Sequence, residues 1–288
     1  MSGQPEIITA GVTAFDERGE LDAGANLAFL RRIEPYVDGV LPVGTNGEFP
    51  ALNAEERAKV IGWALEVFGP ERAIAHVGAP SVHQALEHAR AAAALGATRF
   101  AAITPYYLTA SVEGVIGYYQ SLRDAVDGEL YAYIFPDVAC TDVLPETLAE
   151  LARIGIDGVK LSGLASTRVE AYREAAPDLA LWSGNDADLP HVYTAGGRGV
   201  VSGVSGVAPQ AWAALRDAYG IGEQSVIDEA QTRVQALVKV LGPSISRLKY
   251  GLMVLGIPVG ECRMPIDEPS EEIKEEIRTV LHNTGITE

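Results

Sequence analysis

Short apolar runs separated by stretches of helical period recur eight times between residues 7 and 202 of this 288-residue chain. The runs are 7–15, 39–43, 73–78, 99–104, 130–135, 158–161, 180–183 and 199–202. They are rich in apolar and often β-branched side chains, with little apolar–polar alternation, as expected of strands buried on both faces. The stretches at 53–67, 81–95, 111–125, 145–153, 167–175 and 189–195 carry apolar residues at helical spacing. In the first of them Asn53 stands at an N-cap and Glu55 and Glu56 occupy the first turn, while Val60, Ile61, Ala64 and Leu65 share a face. Strict alternation of strand and helix predicts a parallel sheet, and a count of eight favours a closed (β/α)8 TIM barrel over an open sheet. Beyond residue 202 the pattern turns helical, at 209–219, 224–241, 245–255 and 270–282. These read as the last barrel helix and a C-terminal helical extension, which divides the chain into a barrel over 1–222 and a helical region over 223–288. The charge run of Glu271, Glu272, Glu275 and Glu276 alternates with Ile273, Ile277, Val280 and Leu281, so a solvated helix face is expected there.

A barrel needs a large core, and 48% of the residues are hydrophobic against 21% charged, which excludes a disordered chain. The net charge of −17 repels phosphate backbones, so neither nucleic acid nor an anionic membrane is expected as a partner. Cys140 and Cys262 have no metal-ligand spacing, and one pair makes a thin disulfide framework, so a reducing cytoplasm is the expected compartment. No basic residue precedes Arg18 and no uninterrupted apolar stretch reaches about 18 residues, so neither a secretory leader nor a transmembrane helix is expected.

Of five lysines, Lys59, Lys239, Lys249 and Lys274 fall in helical stretches, where solvated surface charges are the rule. Lys160 instead sits inside the apolar strand 158–161. A buried ammonium needs a partner or a function, and a neutral amine is the nucleophile that Schiff-base chemistry with a ketone requires. A structural lysine in a buried ion pair is the competing explanation. After the second strand comes Gly44-Thr45-Asn46-Gly47-Glu48, whose two glycines, hydroxyl, amide and backbone N–H groups can hold a carboxylate without any arginine. Tyr106 and Tyr107 end the fourth strand and Tyr133 ends the fifth, and a phenol near an amine can shuttle protons. Gly184, Asn185 and Asp186 follow the seventh strand; Ser202, Ser205 and Gly206 lie at the eighth. All these groups fall at the C-terminal ends of strands, where barrel active sites are built. By contrast, His83, Glu87 and His88 match no zinc-ligand spacing, and Gly197-Arg198-Gly199 precedes a strand, the wrong place for a nucleotide-binding turn.

Taken in order, the Gly-Thr-Asn-Gly-Glu loop, Pro105-Tyr106-Tyr107, Tyr133-x-x-Pro136, Gly158-Val159-Lys160, Gly184-x-Asp186, Gly199-Val200-Val201-Ser202 and Cys262-Arg263-x-Pro265 resemble the pyruvate-dependent class I aldolase family. That family includes N-acetylneuraminate lyase and dihydrodipicolinate synthase. The resemblance runs over nearly the whole chain. It implies a (β/α)8 barrel with a C-terminal helical domain, assembled as a homotetramer. Lys160 would form the imine, Tyr133 would shuttle protons, Tyr107 would be offered across a dimer interface, and Thr45 and Asn46 would hold the pyruvate carboxylate. Gly47, Ser162, Gly184, Asp186, Val201 and Ser202 would complete the substrate-binding set. The imine itself supplies the electron sink, so no metal or organic cofactor is expected.

The departures from the family pattern bear on the substrate. Dihydrodipicolinate synthase carries an arginine two residues after the proline of Tyr-x-x-Pro, where this chain has Val138. Sialic acid lyases carry a glutamate after the aspartate of the seventh-strand loop, where this chain has Ala187. Many members have two threonines where this chain has Thr45-Asn46, and Gly-x-Asn-Gly-Glu-Phe-Pro is similar to the 4-hydroxy-2-oxoglutarate aldolase branch. An asparagine common in the eighth-strand loop is Gly206 here. The expectation is a lyase that cleaves a 4-hydroxy-2-oxo acid, such as a 2-keto-3-deoxy sugar acid, to pyruvate and an aldehyde. A dehydratase of a 2-keto-3-deoxy sugar acid, a dihydrodipicolinate synthase, and a non-catalytic barrel that binds a keto acid are the alternatives.

Overall fold

The computed structural model describes residues 3–287. They divide into two compact units, one made of the chain up to Phe68 together with Ser202 onward, the other of Gly69–Val201. The first opens with β1 (Glu6–Ala10), α1 (Ala23–Ile33), β2 (Gly39–Leu41) and α2 (Ala54–Phe68). The second runs through β3 (Ala75–His76), α3 (Val82–Ala94), β4 (Arg99–Ile103), α4 (Val112–Ala125), β5 (Glu129–Ile134), α5 (Pro136–Ala139) and α6 (Pro145–Arg153). It continues with β6 (Gly158–Leu161), α7 (Val169–Ala175), β7 (Ala180–Ser183), α8 (Leu189–Thr194) and most of β8 (Gly199–Ser202). The remaining helices, α9 (Pro209–Ile221), α10 (Gln224–Leu241), α11 (Ile245–Val254) and α12 (Glu271–Asn283), belong to the first unit. Eight strands alternating with helices and joined by parallel ladders place the chain in the (β/α)8 TIM-barrel class.

In the first unit β1 pairs with β2 in parallel, Ile8 opposite Gly39 and Ala10 opposite Leu41. The strand is shorter than the apolar run 7–15 predicts. Beyond Gly11 the backbone bonds elsewhere: the Ala14 amide donates to Asn26 Oδ1 at 3.0 Å, and Phe15 bridges antiparallel to Leu21. That same asparagine belongs to α1, a helix the sequence reading omitted. Gly24 and Asn26 weaken its first turn on propensity alone. Asp22 caps it by accepting the Ala25 amide at 2.9 Å, and the Asn26 amide donates to the Ala14 and Asp22 carbonyls. Helix α2 begins with a reciprocal cap: the Glu56 amide donates to Asn53 Oδ1 and the Asn53 amide to Glu56 Oε2, each at 2.9 Å. In α12, Ile277, Val280 and Leu281 are buried while Glu271, Glu272, Glu275 and Glu276 are exposed.

In the second unit β3 to β7 pair consecutively, and β7 pairs with β8. The register sets Tyr131 opposite Gly158 and Tyr133 opposite Lys160, then Gly158 opposite Ala180 and Lys160 opposite Trp182. Because side chains alternate with period two, these six residues share one face. Gly158 is required there: a Cβ would lie 2.6 Å from the Ala180 carbonyl oxygen and 3.0 Å from the Trp182 ring, which packs edge-to-face on Tyr131 with centroids 5.2 Å apart. The other face, with Leu130, Ile134, Val159, Leu161 and Leu181, is buried apolar surface. The expected helix 167–175 begins as a 3₁₀ turn at Gly163–Arg168 and becomes α-helical only at Val169. Among the described residues no helix is long and apolar enough to cross a membrane.

Candidate active site

Lys160 is 7% exposed at the end of β6. Its nitrogen makes no ion pair among the described residues; it lies 3.9 Å from the centroid of the Tyr133 ring instead. A cation–π contact contributes about 0.5–2 kcal/mol, whereas burying an ammonium costs several. A lysine kept for stability should have a carboxylate beside it, and this one has an aromatic ring. Tyr133 is itself buried, with His76 edge-on at 6.1 Å and Phe135 stacked at 6.2 Å between centroids. Its carbonyl accepts the Thr104 amide at 3.0 Å, which ties the end of β5 to the segment leading to Tyr106 and Tyr107.

The neighbouring strand ends crowd small polar groups together. The Ser162 amide donates to the Ile134 carbonyl at 2.9 Å and the Gly184 amide to the Leu161 carbonyl at 2.6 Å. A Cβ on Gly184 would lie 2.4 Å from the Ser162 hydroxyl, so this glycine is what lets that oxygen face the β7 end. Asp186 is buried in the turn after β7, and Val201 is buried in β8. After β5, Asp137 accepts the Leu164 amide at 2.8 Å and fills the space over Gly163, whose φ is +57°. Val138 and Leu164 are exposed beside this latch. Tyr107 is 84% exposed and holds a φ of +78°, a left-handed conformation that is strained for tyrosine.

In the first unit, the loop after β2 is held in strained backbone. Val43 has φ +48° and Glu48 φ +53°, each a conformation of order 1–3 kcal/mol above the ordinary regions. The left-handed positions therefore fall on the residues flanking the two glycines. Gly47 is needed for close approach instead, since a Cβ would lie 2.9 Å from Val43 Cα and 3.1 Å from the Gly11 carbonyl oxygen. Thr13 donates to the Gly47 carbonyl at 2.7 Å. Thr45 and Asn46 are half-buried, and the Asn46 amide nitrogen donates to the Ala10 carbonyl at 3.5 Å over the Cβ-less Gly203. Ser202 is fully buried: its hydroxyl accepts the Ser205 amide at 2.9 Å, and Ser205 meets Thr9 at 2.8 Å. At Gly206 a Cβ would come within 3.3 Å of the Phe29 ring, so a larger residue there needs that ring to give way by a few tenths of an ångström.

Lys160, Tyr133, Ser162 and Gly184 are thus neighbours in the second unit, and Thr45, Asn46 and Gly47 in the first. Sequence reasoning missed Glu48 and Lys249. Lys249, expected as a surface charge, is 1% exposed and pairs with the fully buried Glu48 at 2.7 Å. Burial pulls its amine below the ordinary lysine range, against the opposing pull of Glu48. The available signal was its spacing, four residues after Ile245 and three before Leu252, on the apolar stripe of α11. Burial and then the charge of Glu48 push the nearby Cys262 thiol up to about 11, which leaves it inert at neutral pH. Among the described residues no cluster of three His, Cys, Asp or Glu side chains is placed to hold a metal ion.

The profile of the Dihydrodipicolinate synthetase family matches residues 4–284. An uncharacterized DapA-like lyase of Halobacterium salinarum is 33% identical over 285 residues, covering 97% of this chain and 94% of that protein. The crystal structure of dihydrodipicolinate synthase from Thermotoga maritima superposes with a TM-score of 0.90 at 30% identity, over 99% of each chain. The chloride-inhibited dihydrodipicolinate synthase of Acinetobacter baumannii, solved with pyruvate, gives a TM-score of 0.91 at 26% identity, again over 99% of each. The chain belongs to the dihydrodipicolinate synthetase family, whose members are pyruvate-dependent Schiff-base lyases.

Proposed function

We propose that this enzyme cleaves a 4-hydroxy-2-oxo acid, such as a 2-keto-3-deoxy sugar acid, to pyruvate and an aldehyde through an imine on Lys160. The observation that carries the reading is a buried lysine with no carboxylate partner, held against the ring of its register partner Tyr133. The neutral amine attacks the C2 ketone and water leaves. The protonated imine then accepts the electron pair of the C3–C4 bond as it breaks, while Tyr133 takes the proton of the C4 hydroxyl and passes its own phenolic proton to water. The aldehyde departs, the enamine is protonated at C3, and hydrolysis releases pyruvate and the lysine. In this reading Thr45, Asn46 and Gly47 hold the carboxylate of the substrate, and Ser162, Gly184, Asp186, Val201 and Ser202 form the rest of its surroundings. Tyr107, exposed on a strained backbone, is the residue offered to a second subunit of a homotetramer.

A second reading, dihydrodipicolinate synthase, is favoured by the names of the solved relatives. Against it stands Val138, an exposed apolar residue where that enzyme has an arginine for its substrate's second carboxylate. Pyruvate release from a panel of 2-keto-3-deoxy acids, run beside condensation of pyruvate with aspartate semialdehyde, tests the choice. Release from at least one keto-deoxy acid, faster than the condensation, is expected; condensation as the faster reaction overturns the assignment.

A further inference from the structure

The Glu48 carboxylate is held at both oxygens from the C-terminal part of the chain. Oε1 lies 2.7 Å from Lys249 Nζ, and Oε2 accepts the Met264 amide at 2.7 Å. Lys249 is fixed in turn by donating to the Glu261 carbonyl at 2.7 Å, with its nitrogen 4.4 Å from the centroid of the Phe15 ring. Arg263 sits over the same ring at 4.3 Å, donates to both Glu56 oxygens at 2.8 and 2.9 Å, and caps the Ala51 carbonyl at 3.0 Å. The main chain of Glu48 meanwhile closes the turn that carries Asn46 and Gly47, its amide donating to the Thr45 carbonyl at 3.1 Å. One residue therefore joins the buried charge cluster to the carboxylate-binding loop, and it does so in a left-handed conformation that persists only when its surroundings enforce it. A buried ion pair adds little net stability over an apolar pair of the same size, so its use here points to conformational definition.

We propose that Lys249 is a positioning residue for the 44–48 loop: through Glu48 it holds Thr45 and Asn46 in the conformation that takes the substrate carboxylate. The Cys262-Arg263-x-Pro265 segment, without a part in the imine chemistry, gains one here as the backing of that loop. The proposal rests on the aldolase reading, and one experiment separates the two.

The full-length protein is titrated with pyruvate, reduced with borohydride, and the adduct at Lys160 quantified by mass spectrometry, with the thermal midpoint measured on the same samples. Wild type should label; a wild type that takes no label overturns the aldolase reading and this proposal with it. Lys249→Met should raise the half-saturating pyruvate concentration by about tenfold to a hundredfold, as a misplaced binding group does, with labelling at saturation preserved. Leu252→Ala, buried on the same helix, should lower the thermal midpoint but leave half-saturation within about twofold of wild type. Should Lys249→Met fail to fold, Glu48→Gln keeps the Met264 hydrogen bond, removes the charge and should shift half-saturation in the same direction. Wild-type half-saturation in whichever folded variant is measured, or an equal rise in Leu252→Ala, overturns the positioning role.

Discussion

Tyr133 and Lys160 stand opposite each other in the β5–β6 ladder, and the lysine nitrogen lies 3.9 Å from the centre of the tyrosine ring. Their meeting is a property of strand register. A slip of one residue would send one of the two side chains to the opposite face of the sheet. The pair is therefore as well defined as the ladder that carries it, and the ladder is built from buried residues on both strands.

Two lysines in this protein are buried, and only one should react. Borohydride reduction with pyruvate is expected to label Lys160 and leave Lys249, which is locked to Glu48. Lys160→Met should take no label and should raise the thermal midpoint, because it replaces an unpaired buried amine with an apolar side chain of similar length, a gain of about 1 kcal/mol. Label on Lys249, or a midpoint several degrees lower in Lys160→Met, would mean that Lys160 is structural.

Removing the phenol oxygen should separate bond cleavage from imine formation. Tyr133→Phe is expected to lower kcat by roughly 10²–10⁴-fold while labelling of Lys160 persists. A wild-type kcat in the folded variant removes Tyr133 from the mechanism. At Asn46 the expectation differs: the carboxylate contact proposed for its amide is one that a hydroxyl also makes, so Asn46→Thr should be tolerated and Asn46→Leu should mainly raise KM.

Aspartate semialdehyde brings a second carboxylate, and Val138 cannot pair with it. With pyruvate and aspartate semialdehyde, kcat/KM should fall about 10²-fold or more below that of the best keto-deoxy acid, from a few kcal/mol of lost charged pairing. Val138→Arg should narrow the gap. Equal turnover of the two substrates by the wild type would refute the argument.

Gly184→Ala forces a methyl group to within 2.4 Å of the Ser162 oxygen. Overpacking of this kind costs about 1–3 kcal/mol. The single variant should lose thermal stability and raise KM, and Ser162→Ala in the same chain should recover most of the stability without recovering KM. Additive losses in the double variant, measured by calorimetry, would show that the two residues do not compete for one space.

Short runs closed off on both sides by turn residues, such as 158–161 and 180–183, were legible in the sequence end to end. The run 7–15 overstated its strand because apolar residues past Gly11 are buried against loops, where burial and strand pairing part company. Helix α1 escaped notice since Gly24 and Asn26 weaken its first turn, and the bonds between Asn26 and Ala14 that hold it have no local signature. The candidate lysine and tyrosine were readable from their place at strand ends. Lys249 was not, although its helical spacing put it on an apolar stripe; a lone charge in an amphipathic helix reads as solvent-facing until its partner, two hundred residues away in the chain, is known. Left-handed backbone at Val43, Glu48 and Tyr107 leaves no mark at all, because none of these is a glycine.

The latch between Asp137 and the 163–164 turn has a practical meaning for redirecting such an enzyme. Because the Asp137 carboxylate occupies the volume over Gly163, these two positions form a fixed frame: any side chain at 163 would expel the aspartate and release the Leu164 backbone. Val138 and Leu164, one residue on from each, are exposed. A library aimed at new aldehydes should randomise 138 and 164 together and hold 137 and 163 constant, so that diversity is spent on exposed positions and the scaffold beneath them stays folded.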